Sequence, residues 1–308
     1  MTVFADRMHL ASIRSGSVLV AGCDPMIEKF PSFILDEADS RSNTSADFVS
    51  RALDRFVDVF VAAVTNRVAA VKPNSAFFEQ YGLAGLTSLK RLCELLRAAQ
   101  LPIVMDAKRG DIGSTAAAYS AAFLGSTEIS GRKVETFESD ALTVNPFLGF
   151  DTLEPFLSDC ERHEKGIFVL VQTSNPGAKA IQGLQDSGRS VSEHVAYWLA
   201  ENAHRLQGKC GWSGLGAVVG ASYPEEARSL RGILRSNLFL IPGLGAQGAA
   251  AADSVAGFGV RDGVRAGGFV NVSRGLLEGK AEDEGGFIQL IQINADAFNT
   301  QLRQALVA

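Results

Sequence analysis

Short apolar runs, each closing on a polar or glycine-rich turn, recur along the chain and alternate with stretches of helical period. Eight such runs stand out, at 17–22, 68–71, 102–105, 141–144, 166–171, 216–219, 238–241 and 268–272. Between them, Phe48, Ala52, Phe56, Val59, Phe60 and Ala63 fall on one face of a helix, and Leu86, Leu89, Leu92, Cys93 and Leu96 on one face of another. Eight buried strands alternating with amphipathic helices over 308 residues predict a TIM (β/α)8 barrel. A doubly wound open sheet alternates in the same way, but it gathers its functional groups at a single switch point. Here polar candidates follow at least six of the eight runs, which favours the barrel. The intervals 25–47, 125–140 and 172–215 are long and rich in glycine, serine and charge. They read as inserted loops and extra helices within one domain spanning 1–308.

Composition narrows the function classes. Hydrophobic residues at 46% and charged residues at 20% fit a soluble globular protein with a sizeable core rather than a disordered or fibrous one. A net charge of -5 without a cluster of lysine and arginine argues against a nucleic-acid partner, whereas a small anionic ligand needs only one or two local cations. Cys23, Cys93, Cys160 and Cys210 lie far apart with no metal-ligand spacing, so no metal site and reduced thiols in the cytoplasm are expected. Asp6, Arg7 and Arg14 interrupt the first 15 residues, unlike a secretory signal. The most apolar stretch, 56–71, contains Asp58, Asn66 and Arg67, so no membrane association is expected.

The chemistry concentrates at Asp106-Ala107-Lys108-Arg109-Gly110-Asp111, which continues the third run. Asp106 and Lys108 point the same way if the strand extends through them, and Asp111 follows on a turn. Ser114 or Thr115 is a candidate N-cap for a helix over 116–124. By itself the D-x-K-x-x-D spacing is as consistent with solvated loop charges as with a site. Lys72, held by Pro73 at the end of the second run, tips the balance toward a site, because opposite charges alternating around a barrel mouth attract by about 4 kcal/mol per contact at about 4 Å. A phosphate site is expected after the last two strands. There Pro242-Gly243-Leu244-Gly245-Ala246-Gln247 and Ser273-Arg274-Gly275 combine glycines that allow close backbone approach with a guanidinium suited to two parallel hydrogen bonds. His9, His163, His194 and His204 are scattered, Cys23 reads as a buried thiol, and Trp198 and Trp212 are expected to pack a helix of the 172–215 insertion.

Together these residues resemble the orotidine 5'-monophosphate decarboxylase family over nearly the whole chain, with D-x-K-x-x-D the most specific element. The stretches 144–151 and 219–226 resemble its longer bacterial branch, and they leave the roles of Asn145 and the 172–215 insertion open. The resemblance implies decarboxylation of orotidine 5'-monophosphate to uridine 5'-monophosphate (UMP), the last step of de novo pyrimidine synthesis, without cofactor or metal. Lys108 would stabilise and protonate the C6 carbanion beside Asp106, and Lys72 would orient the aspartate and the ribose. Asp24 would contact the ribose, Ser174 the pyrimidine, and Pro242, Gln247, Ser273 and Arg274 would lie at the phosphate. Asp111 and Thr115 would reach the partner's site in a homodimer. Two alternatives stay open: a magnesium-dependent relative such as 3-keto-L-gulonate 6-phosphate decarboxylase, which has a glutamate where this chain has Lys72, and a nucleotide-phosphate binder without catalysis.

Overall fold

The computed structural model describes residues 2–245, 248–261 and 263–307. Its centre is a sheet of eight parallel strands: β1 (Leu19–Cys23), β2 (Ala70–Pro73), β3 (Val104–Arg109), β4 (Ala141–Val144), β5 (Gly166–Gln172), β6 (Ser213–Val219), β7 (Asn237–Pro242) and β8 (Gly268–Val272). In space the order is β2-β1-β8-β7-β6-β5-β4-β3, and the bridges Val71↔Ile103 and Asn74↔Asp106 join β2 to β3 and close the ring. The expected TIM barrel is therefore present, and each of the eight apolar runs corresponds to one strand. Amphipathic helices such as Ser45–Val64 and Gly82–Ala98 lie outside it, and the C-terminal helix Glu284–Val307 packs against Ser45–Val64.

The pleat of the strands sorts their side chains into two cores. Leu19, Val71, Met105, Leu142, Val169, Ala217, Phe239 and Val270 face outward into the cluster shared with the helices. Val20, Ala70, Val104, Ala141, Phe168, Val218, Leu240 and Phe269 face inward and fill the barrel. The helix Phe4–Ser15 covers the lower opening, where the Phe4 ring meets Phe168 edge-on at 5.9 Å. With the lower barrel filled by apolar layers, the next inward position of each strand opens at the upper end. On β2, β3, β4 and β8 that alternation continues into the polar residues Lys72, Asp106, Thr143 and Asn271, and on β1 it passes through Gly22 to Asp24 just beyond the strand. One residue from each of these five strands thus converts a hydrophobic interior into a ring of functional groups.

The long intervals are insertions, as expected. The first holds a helix at Ser32–Ser40 and the second an exposed hairpin pairing Thr127–Ile129 with Arg132–Val134. The third holds a small hairpin followed by the helix Val191–Asn202, whose N-terminus Ser190 and Glu193 close with a capping box. Two local expectations fail. The helix after β3 begins at Gly113, with Ile112 in the N-cap position, so neither Ser114 nor Thr115 caps it. The turn Asp111-Ile112 closes through the Asp111 carboxylate, which accepts the Ile112 amide at 2.8 Å, and this lets the helix start one turn early. Trp198 does pack in the insertion, stacked 5.0 Å from Phe150, but Trp212 lies under the barrel, 5.3 Å from the Arg231 guanidinium and 4.7 Å from that of Arg261. Among the described residues no helix is long and apolar enough to cross a membrane.

Candidate active site

At the C-terminal ends of the strands lies a cavity of ≈ 510 Å³. At its centre is Asp106, whose side chain is 10% exposed. Lys72 Nζ donates to Asp106 Oδ2 at 2.5 Å, and Lys108 Nζ donates to Oδ1 at 2.6 Å. Burial by itself would raise the Asp106 pKa, but the two ammonium groups outweigh it and hold the carboxyl well below the usual carboxylate range. Burial likewise opposes the charge on Lys72, and the Asp106 and Asp24 carboxylates reverse that and raise its pKa above the ordinary lysine value. Lys72 is nearly enclosed, with a side chain 6% exposed, whereas that of Lys108 is 50% exposed and open to the cavity. The chain thus offers one buried cation that holds the aspartate and one accessible cation that can meet a ligand.

The Asp106 and Lys108 side chains converge by a route that simple strand alternation does not describe. The register of β3 against β4 shifts between Met105 and Arg109, and Lys108 has φ 47°, in the left-handed region. This bulge turns Lys108 back over Asp106. Asp111 and Thr115, by contrast, do not line this cavity, and the Asp111 carboxylate accepts the Ile112 amide. Within one chain the structure therefore brings together Lys72, Asp106 and Lys108 but not Asp111 or Thr115.

Asp24, Ser174, Pro242, Ser273 and Arg274 all line the same cavity. Gly243 and Gly245, with φ 120° and 74°, make the sharp turn after β7 that glycine permits. Arg274 follows β8, is exposed, and has no ion pair among the described residues. Gln247 lies outside the described residues. Asp24 Oδ1 and Asn271 Oδ1 are buried acceptors without a hydrogen-bond partner, the state of groups that wait for a donor from a ligand.

Six polar lining residues escape a reading of the sequence alone: Asn74, Thr143, Thr173, Asn175, Gln182 and Asn271. Thr143 and Asn271 each leave a detectable trace, as a lone polar residue at an inward position of the otherwise apolar runs Ala141-Leu142-Thr143-Val144 and Gly268-Phe269-Val270-Asn271-Val272. Asn145 stays outside the cavity, where its Oδ1 accepts the Phe147 amide at 3.0 Å and shapes the following turn. The four histidines do not line it either.

Comparison with known proteins accords with this geometry. The sequence pattern of the orotidine 5'-phosphate decarboxylase / HUMPS family matches residues 44–284. The orotidine 5'-phosphate decarboxylase of Rhodopirellula baltica is 42% identical over 285 residues, which span 92% of this chain and 91% of that protein. The orotidine 5'-phosphate decarboxylase of Caldicellulosiruptor bescii is 41% identical over 248 residues, 80% of this chain and 81% of that one. The solved structure of Leishmania donovani OMP decarboxylase matches with a TM-score of 0.72 at 28% identity and covers 99% of both chains.

Proposed function

The chain belongs to the orotidine 5'-phosphate decarboxylase / HUMPS family, and we propose the division of labour by which its residues act. It is a carboxy-lyase that converts orotidine 5'-monophosphate to UMP and carbon dioxide in pyrimidine biosynthesis. The observation that carries the proposed roles is the Asp106 carboxylate held between Lys72 on one oxygen and Lys108 on the other, in a cavity that also presents Arg274.

Arg274 and the turn after β7, with Pro242, Ser273 and Gln247, receive the phosphate. Asp24 accepts a ribose hydroxyl and Ser174 meets the pyrimidine edge. The pyrimidine then lies with its C6 carboxylate against Asp106, a like-charge contact offset by binding energy at the distant phosphate. The C6–carboxylate bond breaks, carbon dioxide leaves, and the electron pair stays in an in-plane orbital at C6. The Lys108 ammonium stabilises that charge and transfers one proton to C6, then regains a proton from solvent. Lys72, buried and positively charged, fixes Asp106 throughout.

Asp111 and Thr115 complete the site of a second subunit in a homodimer. The turn that carries them is tied to the loop after β4, since the Asn145 amide donates to the Arg109 carbonyl at 2.8 Å. These two loops expose Ile112 (63%), Phe147 (77%) and Leu148 (52%), an apolar surface suited to burial against another copy. We further read 1–308 as one domain, because the first helix closes the barrel floor and the last packs on its wall. The four unpaired thiols suit a reducing cytoplasm.

The test is conversion of orotidine 5'-monophosphate by purified protein after exhaustive chelation. Full turnover is expected, and strict dependence on added magnesium would transfer the case to the metal-dependent sugar-phosphate chemistry. Replacing Lys108 with alanine should abolish turnover and spare most of the affinity for UMP, whereas unchanged turnover would remove the proton-donor role.

A further inference from the structure

Where β3 shifts register, the amides of Ala107 and Lys108 both turn to one side-chain atom. Thr143 Oγ1 accepts them at 3.1 and 2.9 Å. A hydroxyl has two lone pairs and one hydrogen, so with both lone pairs engaged its proton must go elsewhere. Asp106 Oδ1, 3.0 Å away, receives it. Thr143 is 1% exposed, so no solvent competes for these bonds. The carboxylate therefore has three donors: Lys72 on Oδ2, and Lys108 and Thr143 on Oδ1.

We propose that Thr143 is a positioning residue for decarboxylation, holding Lys108 in its left-handed turn through the backbone and fixing the plane of the Asp106 carboxylate through its hydroxyl. The inference rests on the roles given above to Asp106 and Lys108. Lysines alone do not fix that plane, because an ammonium on a flexible four-carbon stem follows the carboxylate as it turns. The hydroxyl is borne on a stiff β-branched side chain of a neighbouring strand, so it does not follow. One atom thus couples the bulge that aims the cation to the orientation of the anion beside it. Valine at this position keeps the shape, leaves the part-buried Ala107 and Lys108 amides without this acceptor and removes one donor from Asp106.

The experiment compares Thr143→Val and Thr143→Ser in the full-length protein, measuring kcat and KM for orotidine 5'-monophosphate and Kd for UMP. The valine variant is expected to lose roughly 10²-fold in kcat, the scale on which a displacement of about 1 Å acts, with the Kd for UMP changed less than about threefold. Serine, which restores the hydroxyl, should return kcat to within about tenfold of the wild type. A valine variant with wild-type kcat, a serine variant no better than valine, or a loss of UMP affinity as large as the loss in kcat would each overturn the proposal. If the valine variant cannot be purified, Thr143→Cys, a far weaker hydrogen-bonding group, takes its place under the same criteria. Lys108→Ala in the same assay separates the two levels. Full turnover in Lys108→Ala would remove the underlying roles and this inference with them. Turnover lost in Lys108→Ala but kept in Thr143→Val would remove only the role of Thr143.

Discussion

Gly22 and Ser273 meet where β1 pairs with β8, and a Cβ on Gly22 would overlap the Ser273 hydroxyl and lie 3.1 Å from Asn271 Oδ1. The space that a side chain would occupy on β1 is thus taken by Asn271 of β8 and Ser273 just after it, both of which line the ligand cavity. Gly22→Ala is expected to push Ser273 and the adjoining Arg274 outward. KM for orotidine 5'-monophosphate should rise by about tenfold and stability should fall by about 1–3 kcal/mol, the usual effect of overpacking. Steady-state kinetics and urea unfolding check both numbers. An unchanged KM would mean that Ser273 moves aside without disturbing Arg274.

The two titrating partners at the centre of the site act on stability in opposite pH directions. The Asp106 pKa is lowered below its ordinary 3.8, so its contribution is complete above that value and is lost as pH falls through the depressed one. The Lys72 pKa is raised above its ordinary 10.5, so its contribution is complete below that value and is lost as pH rises through the raised one. Both are therefore present across neutral pH. Asp106→Asn should lower stability at pH 7 by about 3–5 kcal/mol, because it leaves Lys72 buried without its closest counter-charge. Below about pH 4 the variant should lose less further stability than the wild type does. Urea unfolding as a function of pH checks this, and parallel curves for the two proteins would contradict it.

Arg231 provides a control at the other end of the barrel. Its guanidinium is buried without a carboxylate partner among the described residues and donates to the carbonyls of Leu234, Gly257, Asn237 and Gly267 at 2.6, 2.7, 2.8 and 3.1 Å. It also lies 3.6 Å from the centre of the Phe239 ring. Arg231→Met should cost at least about 3 kcal/mol, since several buried carbonyls lose their donor at once. At temperatures where the variant stays folded, kcat should remain within about twofold of the wild type, because uncoupled sites this far apart act independently. Calorimetry and the decarboxylation assay together check it, and a loss of kcat in the folded variant would show that the lower barrel communicates with the site.

Subunit complementation tests the place given to Asp111. A site built from Lys108 of one chain and Asp111 of the other predicts that Asp111→Ala and Lys108→Ala are each inactive alone. When the two are co-expressed and pair at random, half the dimers are mixed and each carries one intact site. Activity should therefore approach about a quarter of the wild-type value per subunit in a two-fold dimer. No recovery in a mixed dimer, or an active monomer, would show that each chain completes its own site.

The barrel was legible in the sequence because burial on both faces forces each parallel strand to be a short, nearly continuous apolar run. The runs at 141–144 and 268–272 match strand boundaries to the residue, and Lys72, Asp106 and Asp24 could be placed at strand ends because their charges interrupt such runs. Thr143 and Asn271 were not legible as site residues. A single polar residue inside an apolar run has the same local pattern whether it satisfies a core hydrogen bond or lines a cavity.

The amino-acid sequence by itself therefore determined which segments become strands and which charges stand at their upper ends, since both follow from local hydrophobic periodicity. Only the tertiary structure decided that Lys72 and Thr143, 34 and 37 residues from Asp106, meet the same carboxylate. It alone decided that a bulge sets Lys108 over Asp106, and that Asp111 stays outside the cavity that both lysines of its own chain line. Those outcomes depend on strand register and barrel closure, which arise from the packing of all eight strands together and leave no mark in any one of them.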